Sequence, residues 1–409
     1  MKQVLFVDDE AKVLEGLQRM LRSMRREWKM LFANGGQEAL DILAKEHVNV
    51  IVTDMRMPGM DGQKLLMAVA EHYPEIIRIV LSGQSDQEMV LKCVGTAHQY
   101  LSKPCDPEIL KDTVNRAFSL RGLLANDSLR RLVSRMTSLP SIPALYLELT
   151  EVLQSPNASI EKVGKIVSKD MGMAAKVLQL ANSAFFGNAR HICDPADAVI
   201  YLGLDTIKAL AFSVNVFSQF EQSDFSKFSI DEFWRHSVAT GAFAQRIAKS
   251  LQFPEKMIHD ARMAGLLHDV GKLVLAANLP KPYEDMWTMV QDQGIPQWQA
   301  EVEVFGSTHA EVGAYLLWLW GLPGPIIEAI AFHHSPGASP EQSPTPLTAV
   351  HIGNAIELEM QREGDLELAS TVDLEYLTKL GLVSRLPFWR EILRQLAGPL
   401  TSEEALHET

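Results

Sequence analysis

No stretch of this 409-residue chain stays apolar for the roughly 20 residues that a membrane-spanning helix needs. The first residues run directly into a strand-like segment, so no signal peptide is expected. Cysteine is scarce. Cys93, Cys105 and Cys193 lie far apart and make no metal-type cluster, which fits a reducing cytoplasm. Positive charge is short as well, 38 Lys and Arg against 51 Asp and Glu, a formal net charge of −13. Residues 1–120 carry −2 of it and the remainder −11. A nucleic-acid-binding output needs a basic face. Arg130-Arg131 with Arg135 is the densest basic stretch after residue 120, and three arginines on a linker helix do not make such a face. Direct DNA binding and membrane insertion are therefore not expected. There is no internal repeat, and the length suits two or three domains.

What is present begins with four apolar runs of strand length, each ending in a polar group. Val4–Val7 ends in Asp8-Asp9, Val48–Val52 in Thr53-Asp54, Ile76–Leu81 in Ser82-Gly83, and Gln99–Ser102 in Lys103-Pro104. In an open parallel α/β sheet, functional groups collect outside the carboxyl ends of the strands. The four endings would then meet in one acidic pocket with a hydroxyl and an ammonium. Such a pocket suits a hard divalent cation, Mg2+, and a carboxylate that accepts a phosphoryl group.

These residues resemble the receiver domain of bacterial response regulators over about the first 120 residues. The resemblance implies a flavodoxin-like, doubly wound sheet of five parallel strands alternating with five helices. It makes Asp54 the phospho-acceptor, and places Mg2+ on Asp8, Asp9, Asp54 and the Arg56 carbonyl. Lys103 would neutralise the acyl phosphate, Ser82 would hydrogen-bond it, and Tyr100 would be the rotating switch aromatic. A cognate histidine kinase is the implied donor. Cys105 departs from the pattern, since an aromatic often follows the Lys-Pro pair.

Beyond the receiver, helical spacing continues through Leu123, Leu124, Leu129, Leu132, Val133 and Met136, with no proline before Pro140. This predicts a nearly continuous helix over 107–137, with a break expected at Asn126-Asp127. From Leu139 onward the patterns are helix-length, among them Ala196–Leu202, Phe233–Ser250 and Met257–Ala277, and no strand is evident. A Pro- and Ser-rich stretch, Ser335–Pro346, reads as surface loop. The expected domains are a receiver at 1–120, a helical linker at 121–138, an all-α domain at 139–335 and a helical extension at 336–409 that completes it.

Several motifs mark the helical region: Leu139–Pro143, Ser168-Lys169-Asp170-Met171, Val177–Ala184, Ala198–Gly203 and Trp320-Gly321-Leu322-Pro323. In that order they resemble HDOD, the HD-related output domain of bacterial signalling proteins. The HD superfamily holds one or two metals on a His, a His-Asp pair and a distal Asp. Here His268-Asp269 matches the core pair. His236, with Glu232 four residues earlier on the same helix face, His309 and the pair His333-His334 are further ligand candidates. Such a set suits Fe, Mn, Zn or Ni, and Lys272 stands ready for a phosphate. Two departures weigh against catalysis. Asn354 stands where the distal aspartate is expected, and Ser335-Pro336-Gly337 follows the His pair instead of Gly-Tyr-Pro.

Two outputs follow. One is a cytoplasmic response regulator that acts by binding a downstream protein or nucleotide ligand, with a homodimer among its expected forms. The other is a phosphorylation-regulated, metal-dependent phosphohydrolase or phosphodiesterase.

Overall fold

The computed structural model describes residues 2–83, 96–119, 124, 126–136, 139–141, 143–155, 158–186, 192–211, 218–219, 229–341, 343–361 and 372–400. The chain forms two compact units. One comprises Met1–Ser168, Gly172–Gln219 and Tyr315–Leu322, the other Lys169–Met171, Phe220–Ala314 and Pro323–Thr409.

In the first unit, strands β1 (Lys2–Val7), β2 (Trp28–Ala33), β3 (Val50–Thr53), β4 (Ile77–Gly83) and β5 (Gln99–Lys103) form one parallel sheet in the order β2-β1-β3-β4-β5. Val4–Val7 and Val50–Thr53 are buried throughout. Strands covered on both faces read as continuous apolar runs, which is why they were visible in the sequence. Helices α1 (Ala11–Met20), α2 (Gly36–Leu43), α3 (Gly62–His72) and α4 (Pro107–Ser119) connect and follow them. The fourth of the five helices predicted for this domain falls on residues 84–95, outside the described residues. The Asp61 carboxylate caps α3 by accepting from the Lys64 amide at 2.8 Å.

The predicted continuous helix over 107–137 is two helices. The second, α5 (Asp127–Arg135), starts where the break was expected, because the Asn126 side chain accepts from the Ser128 and Leu129 amides at 2.9 and 3.2 Å.

A buried cation joins this helix to the sheet. Arg78, on β4, is fully buried and pairs with no carboxylate among the described residues. Its guanidinium donates instead to carbonyls, those of Thr96 at 2.7 Å, Ser134 at 2.8 Å, Ile76 at 3.2 Å and Pro74 at 3.3 Å. The Arg78 amide donates to His98 Nδ1 at 3.0 Å, so the imidazole proton belongs on Nε2, which donates to the same Ser134 carbonyl at 3.0 Å. Ser134 lies in the last turn of α5, where helical carbonyls lack intrahelical partners and cations are favoured.

Burial and the neighbouring Arg78 hold His98 well below the usual imidazole range. The unfolded chain takes that proton near pH 6.5, so the neutral imidazole costs nothing above this pH. Below about pH 6.5, stability falls by up to about 1.4 kcal/mol per pH unit. His98→Gln keeps an acceptor and a donor in place, and its urea midpoint should fall less steeply between pH 6.5 and 5 than that of the wild type.

The unit continues through α6 (Pro143–Gln154), α7 (Ile160–Val167), α8 (Met171–Ala181) and α9 (Pro195–Ala211), the last kinked at Gly203. Two-residue strands, Pro140–Ser141 and Ser218–Gln219, pair in parallel. The sequence reading found no strand here, since two residues show no periodicity.

The second unit is built on α10 (Ile230–Ser250), packed along α11 (Glu255–Leu267). Next come α12 (Val270–Asn278), α13 (Pro280–Gln293), α14 (Gln297–Phe305), α15 (His309–Leu319), α16 (Gly324–Phe332) and α17 (Pro346–Gln361). The helix expected over Met257–Ala277 is divided at His268-Asp269 into α11 and α12. The final helices are α18 (Leu374–Lys379) and α19 (Leu386–Leu400). Trp389 on α19 is fully buried and donates its indole N–H to Ser250 Oγ at 2.8 Å. Arg390 makes a two-armed pair with Glu359 at 2.9 and 3.0 Å.

Candidate functional site

At the carboxyl edge of the sheet, Lys103 Nζ lies 2.7 Å from Asp8 Oδ2 and also bonds Asp54 Oδ1. The Arg56 amide donates to Asp54 Oδ2 at 2.7 Å, and the Glu10 amide to Asp8 Oδ1 at 2.9 Å. Burial raises the Asp54 carboxyl above its ordinary range, against the opposing pull of Lys103. Asp8, Asp54, Ser82 and Tyr100 are buried, whereas Asp9 is exposed beside Asp8. The Tyr100 hydroxyl donates to the Ala97 carbonyl at 3.4 Å. The floor of the pocket depends on Gly62. A Cβ there would run into the Asp54 carbonyl and stand 2.9 Å from Met55 Cα, so α3 can approach β3 only at a glycine.

The second constellation lies in the helical unit. Asp269, at the break between α11 and α12, is its hub. Its Oδ2 is 3.4 Å from both His236 Nε2 and His268 Nε2, and accepts from Lys272 Nζ at 2.6 Å. Its Oδ1 is 3.0 Å from His309 Nε2 and 3.8 Å from His333 Nε2. His334 Nε2 lies 3.0 Å from His309 Nε2. Two groups of convergent ligand atoms result, one of His236, His268 and Asp269, the other of Asp269, His309, His333 and His334. Every histidine and the aspartate singled out in the sequence are thus brought together.

The outer nitrogens of four of the five histidines are already engaged. His268 Nδ1 donates to the Gly265 carbonyl at 2.7 Å, His333 Nδ1 to that of Ile330 at 2.8 Å, and His309 Nδ1 to Glu301 Oε2 at 2.6 Å. His236 Nδ1 bonds Glu357. Pinning Nδ1 in this way turns the Nε2 lone pair inward and fixes ring orientation, the arrangement metal-ligating imidazoles adopt. Asp269 Oδ1 and His333 Nε2 are buried without a properly directed hydrogen bond. Convergent nitrogen and oxygen atoms around one carboxylate could hold a cation between them, and this donor set fits a transition metal.

The proton distribution reflects the same crowding. Burial, which lowers His236, is outweighed by Asp269 and Glu357, taking it up to about 9. His333 and His334 are held well below the imidazole range by burial and by neighbouring imidazoles. For Asp269, burial is overcome by His268 and Lys272, and the carboxyl stays well below its ordinary value.

Glu301, Glu357 and His351 were not anticipated. His351 Nδ1 donates to the His333 carbonyl at 2.8 Å, and its Nε2 accepts from the Asp373 amide at 2.9 Å, tying the His pair to the cap of α18. Glu232, expected beside His236, is exposed. The carboxylate that reaches His236 is Glu357, on α17. Asn354, one turn before Glu357, is buried with its Oδ1 unpaired.

Helices α12 and α15 cross at Gly271 and Gly313. A Cβ on Gly271 would collide with the His309 carbonyl and stand 2.8 Å from the Gly313 amide nitrogen. Gly271→Ala should therefore push His309 away from Asp269 and destabilise the unit by about 3 kcal/mol. A urea titration together with metal content would check both effects.

Comparison with known proteins matches a response regulator receiver domain model to residues 4–115 and an HDOD domain model to residues 139–336. An uncharacterized protein of Treponema pallidum is 27% identical over 223 residues, 54% of this chain and 43% of its own length. The hydrogenase transcriptional regulatory protein HoxA of Cupriavidus necator is 41% identical over 122 residues, 29% of this chain and 25% of its own length. The chain thus spans less than half of either relative. The crystal structure of the MmoQ response regulator from Methylococcus capsulatus aligns with TM-score 0.45 at 22% identity, over 62% of this chain and 98% of that one. With a five-stranded parallel sheet at its N-terminus and a mostly helical remainder, the chain is a homologue of response regulators in which a receiver domain is joined to an HDOD output domain.

Proposed function

We propose that Asp54 accepts a phosphoryl group from a histidine kinase, and that this controls an HDOD module acting mainly by binding a protein or nucleotide ligand. The observation that carries the first half is Lys103 bridging Asp8 and Asp54. An ammonium held against the acceptor carboxylate can neutralise the phosphoryl oxygens as they arrive. Mg2+ would be held by Asp8, Asp9, Asp54 and the Arg56 carbonyl, with oxygen donors suited to a hard cation. Phosphorylation adds roughly −2 charge and three acceptor oxygens, which Ser82 and Lys103 would satisfy while Tyr100 repacks. The module can respond only if its two states make different contacts, through a changed homodimer or a changed binding surface.

Acetyl phosphate with Mg2+ should label the wild-type protein, and Asp54→Ala should abolish labelling. Equal labelling of the variant would remove Asp54 as acceptor.

A second reading, a metal-dependent phosphohydrolase, is favoured by the two ligand groups that share Asp269. His236, His268 and Asp269 would hold one ion, and Asp269, His309, His333 and His334 another, with Fe, Mn, Zn or Ni as the suitable metals. A bound metal supplies an acidified water at neutral pH, and Lys272 would meet a phosphate. Against turnover stands Asn354, whose neutral amide cannot serve as a base. Hydrolysis of bis-p-nitrophenyl phosphate by metal-replete protein would establish this reading. Stoichiometric metal without turnover would leave a structural or ligand-sensing site.

A further inference from the structure

In the first unit, β5 and α4 face the end of α8 and the segment Trp320-Gly321 across a cavity of about 210 Å³. Most of its polar lining is already paired. Asn182 Nδ2 donates to the carbonyls of Leu178 and Ile192 at 3.0 and 2.7 Å, and its Oδ1 accepts from the Ile192 amide at 2.9 Å. Ser183 Oγ donates to the Leu180 carbonyl at 2.7 Å. Two lining atoms are not paired: Gln99 Nε2, a donor, and Gln179 Oε1, an acceptor, are both buried without a hydrogen bond. Gln179 is 2% exposed, and its other amide atom is fixed, since Nε2 donates to the His98 carbonyl at 3.0 Å. Its orphaned oxygen therefore cannot be satisfied by turning the amide over. Gln99 sits against Gly321, where even a Cβ would touch its side chain.

Trp320 adds a flat aromatic side chain to a wall that also holds Leu101 and Ile109. Trp320 is 2% exposed, and the Lys176 ammonium rests 4.9 Å from its ring centroid. Asp112, exposed on the lining helix α4, disfavours an anionic occupant, and the open lining atoms belong to uncharged amides, which suit a neutral one. A buried amide donor and a buried amide acceptor left open beside an indole call for a complementary edge on a flat molecule.

We propose that this cavity binds a small, neutral, planar molecule carrying a hydrogen-bond donor beside an acceptor on one edge, the chemistry of a nucleobase or cyclic amide. The proposal does not depend on the assignment of Asp54 or on the histidine cluster. Because β5 supplies one wall and α8 another, occupancy ties the sheet to the helical region.

The test uses the full chain with uracil, adenine and nicotinamide as probes, read by saturation-transfer NMR and calorimetry. At least one should bind the wild type. Gln99→Leu and Gln179→Leu should each weaken it by about tenfold, one hydrogen bond's worth, and Thr113→Phe, on the half-exposed rim, should block it. Thermal unfolding identifies a variant that has lost its fold, and Gln99→Leu, away from the Gln179–His98 bond, keeps the test open if Gln179→Leu does not fold. Failure of all three probes to bind the wild type overturns the proposal. So does binding unchanged in Gln99→Leu and Thr113→Phe, which would mean that the probe binds elsewhere on the protein.

Discussion

Asp269→Ala will strip transition metal from the helical unit: protein purified without chelators should fall from at least one ion per chain to near none, with Kd weakened more than about 100-fold. Asp269 is the carboxylate common to both ligand groups. Without it, a metal would face imidazoles and the Lys272 ammonium, which currently leans on Asp269 Oδ2. The remaining acids, Glu301 and Glu357, are spent on His309 Nδ1 and His236 Nδ1 and orient ligands from behind. Glu301→Gln should therefore be milder, about 10–100-fold in affinity, and should alter the pH dependence of metal uptake. Elemental analysis and competition with a chromophoric chelator measure both. Stoichiometric metal in Asp269→Ala would end the shared-carboxylate reading, and a metal-free wild type would end the metal reading altogether.

The contrast between Asp269 and its supporting acids also marks what the sequence could reveal. The His-Asp pair is adjacent in the chain, and the other histidines follow in a recognisable order. The strand endings were legible because buried parallel strands write themselves as apolar runs closed by polar residues. Glu357 lies 121 residues from the imidazole it orients, on a helix buried all round from Pro346 to Glu357, polar residues included. Spacing favoured Glu232 instead, four residues before His236. Local periodicity places side chains on a helix face, but only tertiary packing decides which face turns inward. Glu301 was missed for a similar reason. Its eight-residue separation from His309 spans the end of α14 and a turn at Gly306, so no single period relates the two.

Arg78 was legible in hindsight. A cation inside the run Ile76–Leu81, on a strand buried from both sides, must find partners for its donors or unfold the strand. It finds four backbone carbonyls and, among the described residues, no carboxylate; burial lowers its pKa only to about 10, so it remains charged. Arg78→Met preserves bulk but leaves the Thr96 and Ser134 carbonyls without their guanidinium donors. Ser134 keeps its bond from His98, but the Thr96, Ile76 and Pro74 carbonyls lose theirs, and at about 1–3 kcal/mol for each buried acceptor left unpaired the expected loss is about 4 kcal/mol. In a unit of this size that lowers the apparent Tm by about 10 °C. His98 still donates to Ser134, so the α5 attachment should loosen without detaching, and amide exchange in Asp127–Arg135 should accelerate more than in α1–α3. Arg78→Lys, which keeps the charge but not the planar fork, should fall between the two. A wild-type unfolding midpoint in Arg78→Met would show that these carbonyls are satisfied without the guanidinium, and that the sheet does not hold the linker helix through this residue.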